Sequence, residues 1–236
     1  MQMIIIAGQA GVGKSTLAKL IAEEVFRIGQ VPVLLSFAGP LKEEAKRRGY
    51  SKEDNPEKYR EYCQEIGNAR REEEPDYWVE KFDKELQKVL ARENKDIKEG
   101  AKYWERVIIV DDCRYVNELA YGVLYNATTL FMSYGDREFE DHEWRSHPSE
   151  YMCQSLEGGK DTLLHQFSDV VFNDGTKKDL KKLVKANFPV WCGAEIEIDG
   201  YEPSIPMLKE MVEDLLASMD LDIEELDDEE PEDGDN

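Results

Sequence analysis

The stretch Gly8-Gln9-Ala10-Gly11-Val12-Gly13-Lys14-Ser15 constrains this chain more than any other. It fits G-x-x-x-x-G-K-[ST], and its flanks are those the pattern needs. Before it, residues 3–7 form a short apolar, Ile-rich run; after it, Leu17, Leu20, Ile21, Val25 and Ile28 recur at intervals of three and four. A buried parallel strand turning into an amphipathic helix over 15–28 is implied, and Gly29 stops that helix. Gly8, Gly11, Val12 and Gly13 would let the backbone turn so that N–H groups point inward. The helix N-terminus adds partial positive charge, and Lys14 would reach β- and γ-phosphates. Ser15, with Thr16 beside it, would ligate Mg²⁺. A nucleoside triphosphate is the expected ligand. The loop alone does not separate kinases from ATPases or GTPases, and a Gly-rich turn that binds nothing is the bland alternative, which the flanks disfavour.

Further apolar runs at 33–37, 107–110, 128–133 and 169–173 read as strands. Helical patterns at 115–124 and 177–186 alternate with them, and a highly charged middle, 42–105, holds helices at 42–48, 56–67 and 78–90. Strands alternating with helices imply an open parallel α/β sheet. Beyond residue 188 the pattern changes: 194–198 reads as an extra strand and 206–219 as an amphipathic helix. From 221 onward the composition is that of a solvated, disordered tail.

Charge narrows the partners. The 236 residues carry 52 acidic and 30 basic side chains, a net charge of -22, and eleven of the acids lie between Asp220 and Asn236 with no Lys or Arg among them. A body this acidic is a poor generic nucleic-acid binder, and an anionic ligand must be drawn by a local cluster of amides, Lys and Arg. No run of 18 apolar residues is present and the start lacks a secretory signal, so the expectation is a cytosolic protein without membrane association. Cys63, Cys113, Cys153 and Cys192 are widely spaced and expected to be reduced. His142 and His147 stand five apart, about 140° out of line on a helix, which argues against a zinc protease signature.

The run Val107-Ile108-Ile109-Val110 ends in Asp111 and Asp112. Parallel topology brings both to the edge that holds the phosphate loop. One would hold Mg²⁺ through water, the alternative being a cap on the next helix. Spacing does not separate their roles; Asp111 is placed with the metal and Asp112 with the catalytic group. Arg114 follows at the same edge, suited to bidentate contact with a phosphate. Arg60, Arg70 and Arg71 are as readily surface ion-pair residues as ligands. Trp78 would either stack on a base or anchor the core.

Several separated motifs then agree: Phe37-Ala38-Gly39-Pro40-Leu41-Lys42; Gln64-x-x-Gly67 followed by Trp78-Val79; Asp112-Cys113-Arg114 with Asn117-Glu118; His147-Pro148-Ser149-Glu150; and Asn173-Asp174-Gly175. With the phosphate loop, this set resembles the bacteriophage-type deoxynucleoside monophosphate kinases, relatives of adenylate kinase, over about 1–188. The resemblance implies a P-loop three-layer fold with a five-stranded parallel sheet, a helical monophosphate-binding insertion (42–105) and a lid (134–152). Residues 189–220 would be a C-terminal extension and 221–236 the acidic tail. It implies ATP and Mg²⁺, transfer of the γ-phosphoryl group to a deoxynucleoside 5′-monophosphate, and catalysis by Lys14, Arg114 and Asp112. Ala38, Gly39 and Lys42 would line the acceptor site, and Arg60, Gly67, Asn68 and Trp78 would surround the nucleotide. Glu118 and Glu150 would orient the basic groups. Asn173 to Gly175 would lie near the adenine, and Arg137 would stand for the family's ATP-side Arg, unless that contact is lost. A P-loop kinase of another small acceptor and a nucleotide-dependent switch protein are the competing readings. A homodimer is compatible with the extension.

Overall fold

The computed structural model describes residues 2–98, 105–134, 147–157 and 164–193. Five strands, β1 (Gln2–Ala7), β2 (Val31–Leu35), β3 (Arg106–Cys113), β4 (Thr128–Ser133) and β5 (Asp169–Phe172), form one sheet in the order β2-β3-β1-β4-β5. Every neighbouring pair is parallel. The α/β class and the five-stranded parallel sheet expected from the sequence are therefore present. Seven helices are described: α1 (Lys14–Arg27), α2 (Gly39–Arg47), α3 (Pro56–Glu73), α4 (Tyr77–Lys98), α5 (Val116–Leu124), α6 (Tyr151–Glu157) and α7 (Lys177–Trp191).

Side chains alternate across each strand, so the sheet builds two cores. Met3, Ile5, Ile108 and Val110 pack with Phe82 and Leu86 of α4 and with Leu119 and Tyr121 of α5. Ile4, Ile6, Ile109 and Leu130 pack with Leu17 and Ile21 of α1 and with Leu180 and Val184 of α7. With both faces covered, the central strands need no polar side, which is why they read as unbroken apolar runs.

Boundaries differ where local signals lose to packing. The expected strand 33–37 ends at Leu35 because the next three residues turn to meet Asp112. The helix expected to end at 186 continues through Pro189 to Trp191. Proline removes a backbone donor there, yet Phe188 and Trp191 are buried. Trp191 also donates through Nε1 to Asp169 Oδ2 (2.9 Å), and its carbonyl accepts from Thr128 Oγ1 (2.9 Å). Helices α3 and α4 extend past their expected ends at 67 and 90. The strand at 194–198, the helix at 206–219, the tail and most of the lid lie outside the described residues. With all strands parallel, the loops that follow them open on one edge, the usual ligand edge of such sheets.

Candidate active site

The phosphate loop joins β1 to α1 as the sequence requires. Gly8 and Gly13 have φ of +146° and +107°. A Cβ at Gly8 would run into the Met132 carbonyl, and one at Gly13 would lie 2.9 Å from Asn173 Nδ2, so both positions demand glycine. Lys14 is 7% exposed and donates from Nζ to the carbonyls of Gly8 (2.5 Å) and Gln9 (2.7 Å). Burial, reinforced by the nearby Arg114, lowers its pKa to about 8. Asn173 braces the loop, donating from Nδ2 to Val12 O (2.9 Å) while its own N–H bonds Ser133 O (2.8 Å). Tyr134 donates its hydroxyl to Gly11 O. Gly175 lies in the turn before α7, against Asp179. Ser15 is exposed and Thr16 half-buried on the first turn of α1.

The two carboxylates that end β3 sit on a bulge. Ile5 pairs with Val110 and Ala7 with Cys113, so β3 carries one more residue than β1 across that interval. Bulges re-aim side chains beside active sites. Asp112 accepts from the Ser36 hydroxyl, from Phe37 N (2.8 Å), from Ala38 N (3.2 Å) and from Lys42 Nζ (3.0 Å). Burial alone would raise its pKa; Lys42 and the bonds from Ser36 and Phe37 overcome this and hold the carboxyl below its usual range. Asp112 thus fixes the turn that carries Ala38, Gly39 and Lys42, and on the cavity wall its oxygens are engaged by these four donors. Asp111 is half-buried and makes no hydrogen bond or ion pair among the described residues.

Against this edge lies a cavity of about 440 Å³, lined on one side by Ala10 of the phosphate loop. Lys42, Lys52, Arg60, Arg71 and Arg114 all contribute to its wall. Arg114 Nη1 donates to Glu150 Oε1 (2.6 Å), and Glu150 Oε2 accepts from Ala10 N (2.8 Å). Glu150, 1% exposed, therefore ties Arg114 to the phosphate loop. Glu118 accepts from Arg114 N (2.8 Å), Tyr115 N (3.2 Å) and Arg71 Nη2 (3.3 Å), capping α5 as it orients Arg71. Burial pushes its carboxyl up to about 7, although Arg71 opposes the shift. The Arg71 guanidinium also lies 3.8 Å from the centre of the Tyr115 ring, a cation–π geometry.

Uncharged wall is supplied by Leu41 of α2 and by Pro56, Tyr59, Cys63 and Gln64 of α3. The Asn68 side-chain amide is 3.1 Å from His147 Nε2, and His147 Nδ1 accepts from Ser149 N (3.2 Å). This links α3 to the turn that carries Glu150. Burial, with Arg114 and Arg71 close by, keeps the His147 imidazole below its usual pKa.

Most of the sequence-derived set converges: Ala38, Lys42, Arg60, Asn68, Arg114, Glu118 and Glu150 share the cavity wall with the phosphate loop. Trp78 does not. It is 3% exposed and donates from Nε1 to Gly67 O (3.1 Å), so of its two readings the anchor is the one realised. Gly67 lies behind the cavity wall, its carbonyl shared by Trp78 and Arg71. Arg137 is outside the described residues. Ser36, Lys52, Tyr59 and Tyr115 were not anticipated from the sequence as wall or support residues, and Arg71 was left undecided; His147, expected in the lid motif, is found on the wall. The one available signal was the helical spacing Tyr59, Cys63, Gly67, Arg71, which places the four on one side of α3.

No cluster of three His, Cys, Asp or Glu suited to a metal occurs among the described residues. Mg²⁺ carried in on phosphates would need only one or two protein oxygens, of the kind that Ser15, exposed on the first turn of α1, and the half-buried Asp111 would offer. The fold and loop together define an α/β P-loop protein whose phosphate loop faces a basic cavity. No family model matches the sequence, and no curated protein matches it. Among solved structures, the chain is similar to a shikimate kinase from Bacteroides thetaiotaomicron, at 13% identity and a TM-score of 0.34, over 78% of this chain and 97% of that one. A TM-score that low carries no argument about substrate. Among the described residues, no helix is long and apolar enough to cross a membrane.

Proposed function

We propose that this protein is a phosphotransferase that moves the γ-phosphoryl group of ATP to a deoxynucleoside 5′-monophosphate. The observation that carries the reading is the set of five cations, Lys42, Lys52, Arg60, Arg71 and Arg114, around a cavity beside the phosphate loop in a chain of net charge -22. Cations gathered against such a field suit an anionic acceptor. A hydroxyl acceptor would call for a carboxylate free to take its proton. The cavity's carboxylates are instead engaged: Asp112 by four donors, Glu118 by Arg71 and two amides, Glu150 by Arg114 and Ala10 N. The choice of a deoxynucleotide rests on the motif resemblance.

Phosphoryl transfer has a loose transition state, so catalysis is mainly positioning and charge stabilisation. An ionised phosphate acceptor needs no strong base; repulsion between two anions must be overcome instead. Lys14 would exchange its two loop carbonyls for the β- and γ-oxygens of ATP. Arg114, aimed by Glu150, would span the transferred group and the acceptor, with Lys42, Arg60 and Arg71 gripping the acceptor phosphate. The base would lie toward Leu41, Tyr59 and Gln64. Mg²⁺, held by Ser15 and Asp111 when bound, would offset charge on the donor phosphates.

A coupled ADP-release assay over a panel of dNMPs and NMPs tests the reading. Acceptor-dependent turnover is expected, lost in Lys14→Ala and lowered by about a hundredfold or more in Arg114→Ala, the scale on which losing one transition-state donor acts. ADP release indifferent to every monophosphate would contradict it.

A further inference from the structure

Glu118 divides its two oxygens between two tasks. Oε2 accepts from Arg114 N (2.8 Å) and Tyr115 N (3.2 Å), which caps α5. Oε1 accepts from Arg71 Nη2 (3.3 Å), and among the described residues no other cationic side chain bonds the carboxyl. The group is 3% exposed. A carboxylate buried to this degree depends on its partner, because removing the partner leaves an uncompensated charge out of reach of water.

That partner is shared with the cavity. Arg71 lines the wall beside Glu118, donates from Nη1 to Gly67 O (3.2 Å) and lies over the Tyr115 ring. A guanidinium has more N–H groups than these bonds use, so an oxyanion in the cavity can meet the same side chain. It would then stand as a second negative charge beside the Glu118 carboxylate and compete with it for one cation.

The other ionisable groups around Glu118 do not take Arg71's place. Arg114 gives its guanidinium to Glu150, and Lys42 is bonded to Asp112. Burial keeps the His147 imidazole below its usual pKa. Asp112 adds a like charge at the end of β3, while burial raises the Cys113 thiol and the Tyr115 hydroxyl. On the α4 side, Asp76 is held by Asn117, and Asp83 by the Tyr121 and Tyr125 hydroxyls. Burial, with Asp112 adding to it and Arg71 opposing, leaves the Glu118 carboxyl at about 7, so a small further push decides its charge near neutral pH.

We propose that Glu118 takes a proton on Oε1 when an oxyanion enters the cavity, and thereby releases Arg71 to the ligand. The proton comes from solvent. Once neutral, Oε1 carries a hydrogen toward the N–H groups of Arg71, so that bond is given up. Oε2 keeps its two amides, and α5 stays capped. The charge brought by the anion is thus balanced at Glu118 and not on the phosphate, whose oxygens stay ionised for attack. The inference rests on the proposed function only in that an oxyanion belongs among the cavity's cations; which nucleotide carries it is immaterial.

Calorimetry of sulfate binding to the full-length chain tests this without turnover. Sulfate is a dianion at every pH used, so any proton taken up goes to the protein. Titrations at pH 7.5 in HEPES and in Tris, whose ionisation enthalpies differ, count that proton. The wild type should gain about half a proton or more per sulfate, as a rise of about one to two in the pKa of Glu118 from about 7 requires. The gain should vanish in Glu118→Gln, which has no carboxyl to protonate. It should vanish too in Arg71→Ala, where burial without a compensating cation keeps the acid neutral beforehand. It should persist in Lys14→Ala, because Lys14, with a pKa of about 8, is the other group an anion would charge. Sulfate affinity should also fall about tenfold from pH 6.5 to 9 in the wild type and in Lys14→Ala alike. Should Glu118→Gln fail to fold, Arg71→Ala gives the same reading at a side chain 20% exposed. Sulfate that binds the wild type without a proton, or does not bind at all, would overturn the proposal. So would a gain that survives either the Glu118 or the Arg71 substitution, or one that disappears with Lys14. A kinase assay negative for every monophosphate would leave the sulfate result standing, so the two readings fail separately.

Discussion

Lys14 is bonded to two carbonyls of its own loop, with burial holding its pKa at about 8. Its folded pKa lies below the usual lysine value of 10.5, so the cost of burying the charge is fully present below about pH 8 and is relieved as pH rises toward 10.5. Binding runs the other way, because a phosphate wants the ammonium form. The KM for ATP should therefore rise as pH climbs through about 8, which steady-state kinetics from pH 6.5 to 9.5 would read. Glu150 is the second residue whose charge decides behaviour. Its carboxylate holds both Ala10 N and Arg114, groups that phosphates would use. Glu150→Gln should bind inorganic phosphate more tightly than the wild type by calorimetry, and turn over more slowly because Arg114 loses its guide.

At the scale of elements, α3 supplies much of the cavity wall, and Trp78 pins α4 behind it through Gly67 O. Trp78→Phe should lower stability by about 1 kcal/mol in denaturant titration, the usual net worth of one hydrogen bond. Acceptor KM should be unchanged, since the ring does not line the cavity. A large rise in KM without loss of stability would restore the stacking role. The same region shows what sequence can reveal. The phosphate loop and the five strands were legible because each is a local pattern: glycines at fixed offsets, or an unbroken apolar run between turns. Asp112 was located but its task was not, because four donors drawn from residues 36 to 42 are a tertiary fact. Arg71 was equally hidden, since on a charged helix a ligand-facing Arg has the same spacing as a solvated one.

For the molecule as a whole, a net charge of -22 repels nucleotides at long range while five cations attract them at short range. Salt at physiological strength screens the first beyond about 8 Å and touches the second, which acts at contact distance, less. Association of a fluorescent ATP analogue should therefore quicken between low salt and physiological salt in stopped flow, the reverse of what a net-basic site would show.

In the proposed reaction two anionic nucleotides meet across Lys14 and Arg114. Calorimetry with a bisubstrate analogue, adenosine joined to a deoxynucleoside through five phosphates, measures this most directly when set beside ATP and the dNMP alone. The linked compound should bind more tightly than either, with the advantage lost in Arg114→Ala. Binding no tighter than that of ATP would contradict it.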